Sequence, residues 1–432
     1  MGHRTRRLVA SAIALLVPLG VVASATGVEA SGRHRDFVKV GYFIQWGIYG
    51  RNFVAADLQQ NGTAARLTHI NYAFGNVAPD DDGDIVCQSG DPWADYQTSF
   101  PADRDVDGVA DTEGPLLGNF NQLKELKAEH PDLKVLISLG GWTWSRYFSD
   151  AALTPESRRT LVESCIDLFI RGNLPVAGPL GGPGSGAGVF DGIDLDWEWP
   201  GSDGHPDNTV RAEDKQNFTA LVAEFRAQLD AYGDGYELTA FLPAAPAKID
   251  AGFEVDQIFD DLDYATVQGY DLHGTWETTT NHQAQLFSPR QDPDPARFSL
   301  DLAVDSYLDR GAPARKIVVG VPYFGRGWTG VSSANRGLYQ TATGGAAPGT
   351  WEAGVEDYEV LATKPGRRHR DLLNGANWLY DGTQWWSYDD PLTVARKMVY
   401  VRLNGLGGAM VWSLDADDAR GTLTATIDLL LR

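Results

Sequence analysis

The chain has 432 residues, 43% of them hydrophobic and 22% charged, which is enough to bury a sizeable core and to form more than one domain. Its formal net charge of −22 excludes nucleic acid as a partner and leaves a neutral or weakly cationic polymer acceptable. Thirteen tryptophans are a heavy load for a chain of this size, and indole faces stack on flat apolar surfaces as well as filling cores.

At the amino terminus Arg4, Arg6 and Arg7 precede an apolar run over 8–22, followed by the small residues Ala23, Ser24, Ala25 and Ala30. This order predicts a secretory signal peptide over 1–30, cleaved after Ala25 or Ala30, and hence a secreted, extracellular protein. The run is short for a membrane span and contains Pro18, and no later segment has the length to cross a bilayer, so no membrane partner is expected. Only Cys87 and Cys165 occur, too few for a disulfide-stapled scaffold. Cys165 sits in a helical pattern over 161–169 and reads as a buried free thiol.

Further along, short β-branched or aromatic runs predict strands at 38–45, 68–74, 134–139, 189–195, 237–242, 264–268, 316–321 and 408–412. Helical patterns fall between them, at 120–129, 156–170 and 214–231. Eight strands alternating with helices, with no paired hairpin turns in the main body, predict a parallel (β/α)8 barrel of the TIM type. One connection is too long for a simple crossover. Residues 327–387, rich in Gly, Trp, Tyr and Thr, predict a small α+β insertion between the seventh and eighth strands, with a barrel helix at 392–403. The expected organisation is a signal peptide at 1–30, barrel at 36–326, insertion at 327–387 and barrel again at 388–432. The Gly/Pro-rich stretch 173–188 reads as a surface loop. Asp103, Asp105, Asp107 and Gly108 match the opening of a calcium loop, but its twelfth place is Gly114 instead of Glu, which favours a solvated loop and no metal.

The segment Asp191-Gly192-Ile193-Asp194-Leu195-Asp196-Trp197-Glu198 carries the chemistry. In an extended strand Asp194, Asp196 and Glu198 share one face while Ile193, Leu195 and Trp197 share the other. Like charges so close cannot all ionise, so at least one carboxyl holds a proton near neutrality, as a general acid must. A solvated acidic turn would lack the flanking apolar run Val189, Phe190 and Ile193.

In a barrel of this kind the site is built at the carboxyl ends of the strands, and what stands there is aromatic and acidic. The first strand ends in Tyr42, Gln45, Trp46 and Tyr49, the second in Asn71, Tyr72 and Phe74, and the third in Ser138, Gly140, Gly141, Trp142 and Trp144. Trp199 follows the acids; Gln268, Tyr270 and Asp271 end the sixth strand, Tyr323, Phe324 and Arg326 the seventh, Trp412 the eighth. Such a ring of aromatics around carboxylates describes a carbohydrate groove.

The octet resembles the DxxDxDxE signature of glycoside hydrolase family 18 chitinases, and Ser138-Leu139-Gly140-Gly141 resembles that family's SxGG strand. Similar stretches at 320–328, 349–354, 387–390 and 407–412 run in order, so the resemblance covers the whole catalytic module, most closely that of bacterial secreted chitinases carrying the insertion. It implies that Glu198 protonates the glycosidic oxygen and that the 2-acetamido oxygen of the substrate, not a protein carboxylate, attacks the anomeric carbon. It further implies that Asp196 steadies the oxazolinium intermediate, that Asp194 keeps Asp196 protonated at rest, that Tyr270 donates to the acetamide oxygen and that Asp271 binds near the scissile sugar. Trp412 would form the floor, with Tyr42, Phe74 and Gly141 beside it. Trp46, Trp142, Trp276 and Trp351 would line neighbouring subsites, and Arg326 and Glu352 would add polar contacts.

Three positions depart from the family pattern. Gln268 replaces a Met, Trp199 replaces a Tyr, and the Phe-Tyr pair is inverted as Tyr323-Phe324. The implied protein is a secreted, monomeric chitinase without cofactors, acting on chitin and chitooligosaccharides with net retention. Two alternatives stand beside it: a chitin-binding lectin on the same fold, disfavoured by Glu198, and an endo-β-N-acetylglucosaminidase acting on N-glycans.

Overall fold

The computed structural model describes residues 37–432, so the signal peptide predicted over 1–30 lies outside the described residues. Eight parallel strands close on themselves: β1 (Val38–Ile44), β2 (His69–Pro79), β3 (Lys134–Gly140), β4 (Gly192–Asp196), β5 (Glu237–Leu242), β6 (Tyr264–Val267), β7 (Ile317–Pro322) and β8 (Gly408–Trp412). Each pairs with the next, and β8 returns to β1, leaving no barrel edge. All eight expected strands are present. They read as apolar runs because parallel strands are covered on both faces, by the barrel interior and by the outer helices.

Local signals set the helix ends. Thr154 caps Pro155–Cys165 by accepting from the Ser157 N–H, and Asp390 caps Pro391–Asn404 by accepting from the N–H groups of Leu392 and Thr393. Gly405, at φ 64°, ends the latter in the left-handed conformation that glycine tolerates. In the fourth strand a side chain at Gly192 would put its Cβ 2.2 Å from the Glu237 carbonyl oxygen, so glycine lets β4 and β5 pair closely.

Directly after β7 the chain leaves the barrel for an antiparallel sheet of Phe324–Val331, Ala342–Ala346, Val355–Asp357, Arg367–Asp371, Ala376–Tyr380 and Trp385–Ser387, with one helix, Tyr358–Thr363. Trp328, Trp378, Tyr380 and Trp385 give it a small core of its own. Several of the tryptophans therefore hold this insertion together and do not face solvent.

Three expectations need correction. The main body does contain a hairpin: β2 runs on to Pro79 and pairs antiparallel with Ile85–Ser89, turning where Asp80 Oδ1 accepts from the N–H groups of Asp82 and Asp84. The stretch 173–188 holds a two-stranded hairpin, Leu174–Ala177 with Leu180–Gly182. Cys165 is no free thiol; it is disulfide-bonded to Cys87. The β2 hairpin carries Cys87 onto the helix Pro155–Cys165, where the Cys87 N–H also donates to Ser164 Oγ at 2.9 Å. The pairing depends on a hairpin that the sequence pattern did not reveal.

Candidate active site

A cavity of about 1320 Å³ opens at the carboxyl ends of the barrel strands. Asp196, Glu198, Tyr270 and Asp271 line it, with Tyr42, Trp46, Phe74, Trp142, Trp199, Gln268, Trp276, Phe324, Arg326, Glu352 and Trp412 around them. Two predicted subsite residues fall outside that lining. Gly140 and not Gly141 meets the cavity; Gly141, at φ 71°, lies where a Cβ would come within 2.6 Å of the Phe74 ring, so its glycine makes room for that ring. Trp351 stands on the rim, half exposed, with Arg51 stacked 5.0 Å over its ring and its Nε1–H donating to Asp357.

The acids are graded by their surroundings. Asp194 lies beneath the floor, fully buried, and accepts from Tyr42 Oη and Ser138 Oγ at 2.8 Å and from Thr239 Oγ1 at 2.6 Å. Burial raises its pKa, and these donors, which favour the carboxylate, oppose the rise without cancelling it. Register explains the meeting, since Asp194 sits opposite both Ser138 and Thr239 on neighbouring strands. Asp196, two residues on, has no such help. Its Oδ1 is buried without a partner, and burial followed by the charges of Glu198 and Asp194 pushes its pKa well up. Its surroundings therefore favour the neutral carboxyl over the carboxylate.

β4 ends at Asp196, so Glu198 lies just past the strand. Burial of its carboxyl and the nearby Asp271 push its pKa up to about 8, against an opposing pull from Lys248. Ile193, Leu195 and Trp197 do point away from the acids into packing, Trp197 stacking on Phe148 at 5.5 Å.

Tyr270 is stacked against Phe241 and edge-on to Phe324. Burial and the surrounding carboxylates raise its pKa well above the ordinary tyrosine value, so its hydroxyl remains a donor. Asp271 adopts φ 54°, uncommon for a non-glycine residue. It is held there by Arg326 and by Gln283 Oε1, which accepts its N–H at 3.2 Å. Trp412 stacks on Phe74 at 5.6 Å, and Trp46 stacks on Phe74 at 6.2 Å, giving one continuous aromatic floor.

The three departures have visible consequences. Tyr323 is turned into the core, its hydroxyl on Thr424 Oγ1, while Phe324 meets the cavity and brings no hydroxyl. Gln268 Oε1 accepts from the Ala244 N–H at 3.3 Å, adding an amide at the floor. Trp199 packs on Phe241 beneath the ammonium of Lys248.

Gln45, read at the end of the first strand, meets the cavity as well; Lys248, Asp203 and Asp357 also line it and were not anticipated. Lys248 lies in a short helix, Asp203 in a loop and Asp357 at the end of a three-residue strand, with no periodicity or motif to mark them. The loop expected to be solvated is only partly so. Asp105 is buried, and Gln122 Nε2 donates to Asp105, Asp111 and Glu125. Carboxylate oxygens of Asp105, Asp107 and Glu125 lie within 4.8 Å of one another there, and none of the three lines the cavity.

Comparison with known proteins agrees with this geometry. Residues 38–417 match the family described as glycosyl hydrolases family 18. The chain is 40% identical over 391 residues to Chitinase C of Streptomyces lividans, covering 89% of this chain and 58% of that one. It is 36% identical over 446 residues to Chitinase A1 of Niallia circulans, covering 94% of this chain and 59% of that one. The chain thus spans about three-fifths of the length of these relatives. Among solved structures, the catalytic domain of psychrophilic chitinase B from Arthrobacter TAD20 superposes with a TM-score of 0.88 at 48% identity, covering 92% of this chain and 96% of that one. With the acid ladder at the mouth of a parallel barrel, the matched span and these identities, the chain belongs to glycosyl hydrolases family 18.

Proposed function

We propose that this protein is a chitinase that hydrolyses β-1,4 links between N-acetylglucosamine units by a retaining, substrate-assisted mechanism. The observation that carries the mechanism is the placing of Asp196, its pKa pushed well up by burial and by its acidic neighbours, between buried Asp194 and the acid Glu198, with Tyr270 lining the same cavity. Glu198 donates its proton to the glycosidic oxygen as the bond to the anomeric carbon breaks. The acetamido carbonyl oxygen of the same sugar forms the new bond to that carbon, giving an oxazolinium ion. Asp196 accepts a hydrogen bond from the acetamido N–H, and the Tyr270 hydroxyl donates to the acetamido oxygen. Glu198, now a carboxylate, takes a proton from water, which adds to the anomeric carbon and opens the ring with net retention.

Trp412, Phe74 and Trp46 form the floor under the sugars, with Trp142 and Trp276 as exposed platforms. The aromatic run and the wall raised by residues 327–387 favour a long linear polymer. The barrel works as one catalytic unit with that insertion, as a monomer and without a cofactor. The amino-terminal pattern and the disulfide support export to an oxidising compartment. Among the described residues no helix is long and apolar enough to cross a membrane.

The test is to follow the products from defined N-acetylglucosamine oligomers, with the anomeric form read by proton NMR. Early β-anomer from a β-linked substrate supports the proposal; early α-anomer contradicts retention, and no cleavage contradicts the activity.

A further inference from the structure

A general acid needs its carboxyl fixed, and Glu198 lies beyond the last paired residue of β4, where the sheet no longer holds the backbone. Two side chains from elsewhere take over. The Glu198 N–H donates to Ser145 Oγ at 2.8 Å, and the Glu198 carbonyl accepts from Asn208 Nδ2 at 2.7 Å. Ser145 is fully buried, and its one hydroxyl proton lies between the carbonyls of Gly141 at 2.8 Å and Asp196 at 3.1 Å. It thereby joins the end of β3 to the end of β4.

Asn208 belongs to a loop pressed against the same carbonyl, since a Cβ on Gly204 would fall 2.1 Å from the Glu198 oxygen. That loop is pinned on three sides. The Thr209 N–H donates to the Arg146 carbonyl, Lys248 Nζ donates to the Asp203 carbonyl at 2.6 Å, and His205 meets Trp142 edge-on at 5.9 Å. The peptide groups on both sides of the Glu198 Cα are thus gripped, one from the third strand's loop and one from the fourth's.

We propose that Ser145 and Asn208 are positioning residues for the proton transfer, acting as a two-sided clamp on the Glu198 backbone that sets where its carboxyl stands. The proposal rests on the reading of Glu198 as the acid. A glutamate carboxyl sits three rotatable bonds from its Cα, and a misplacement of about 1 Å at a reacting group costs about a hundredfold in rate. Asn208 is half-buried and its other amide atom, Oδ1, has no partner, so the hydrogen bond its side chain makes is the one to the Glu198 carbonyl.

The test compares wild type, Asn208→Ala, Ser145→Ala and Ser145→Thr in two readouts: kcat and KM on N-acetylglucosamine oligomers, and 13C NMR titration of the Glu198 carboxyl in the free enzyme, its signal assigned by loss in Glu198→Gln. Asn208→Ala is expected to lower kcat about tenfold with KM within about twofold, as loss of alignment without loss of substrate binding requires. The Glu198 midpoint, about 8 in the intact protein, is expected to fall towards the ordinary carboxylate range as the carboxyl reaches water. Ser145→Ala is expected to do the same and Ser145→Thr to restore both. If Ser145→Ala does not fold, Asn208→Ala decides. An unchanged kcat, a change in KM alone, or an unmoved midpoint overturns the clamp. Should wild type cleave no oligomer, the chitinase reading falls, and the NMR midpoint alone decides the clamp.

Discussion

Arg326 holds Asp271 by two parallel bonds, Nε to Oδ1 at 2.8 Å and Nη2 to Oδ2 at 2.9 Å. Arg326 comes from the first strand of the insertion, Phe324–Val331, and Asp271 from the residues just after β6, so this pair ties the inserted sheet to the catalytic mouth. It also secures a non-glycine residue at positive φ and fixes one of the charges that raise the pKa of Glu198.

Arg326→Lys keeps the charge and removes the fork. Bonds to charged groups of this kind are worth about 1.5–3 kcal/mol, so kcat/KM on N-acetylglucosamine oligomers is expected to fall about 10- to 100-fold. Steady-state kinetics checks it, and an unchanged kcat/KM would remove Asp271 placement from the account.

The raised Glu198 pKa has two pH consequences. Activity requires the protonated acid, so it should decline as pH rises through about 8. For stability, the folded state binds this proton more tightly than the unfolded chain does. Any stability from Glu198 is therefore complete below the unfolded carboxylate range and lost as pH rises through about 8. Glu198→Gln should accordingly leave the melting temperature near wild type at pH 4 and raise it increasingly from pH 6 to pH 9. Melting curves across that range test the sign, and a growing destabilisation with pH would contradict it.

Thr239 was absent from the expected site, yet its hydroxyl is 2.6 Å from Asp194 Oδ1. Thr239→Val keeps the shape and removes a donor that favours the Asp194 carboxylate. Asp194 should then take up a proton at higher pH and cease to hold the proton on Asp196. The acidic limb of kcat/KM is expected to move up by about one pH unit, with the alkaline limb unmoved. A pH–rate profile in which only the alkaline limb shifts would point to Glu198 instead.

Cys87 and Cys165 close a loop with a sequence separation of 78 residues. Chain-entropy arguments place the stabilisation from a loop of this length at about 4 kcal/mol. The double variant Cys87→Ala/Cys165→Ala should lose about 2–5 kcal/mol in urea unfolding while retaining kcat, because the bond ties a hairpin to an outer helix and touches no catalytic group. Equal stability with and without reductant would show that the hairpin docks by packing alone.

The barrel was legible because each of its strands is an apolar run bounded by turns, and the acid ladder because alternation puts Asp194 and Asp196 on one face. What escaped the sequence reading depended on contacts between distant segments. The β2 hairpin is written in a weakly alternating stretch around Gly75 and Asn76, and without it Cys87 gives no hint of its partner. Gly141, the last residue of the SxGG stretch, was expected beside the floor; in the fold its missing side chain clears space for the Phe74 ring. Ser145 and Asn208 had no signal at all, since a serine after a short helix and an asparagine in a loop are common, and only the fold places them on either side of Glu198.

The central claim is that Glu198 is the proton donor in a cleft shaped for N-acetylglucosamine chains. Its most direct test is Glu198→Gln assayed side by side for hydrolysis and for binding of a defined chitooligosaccharide. Loss of the acid should lower kcat at least about a hundredfold, while the dissociation constant stays within a few-fold of wild type because the amide preserves the shape. Hydrolysis at near wild-type rate by Glu198→Gln would contradict the account.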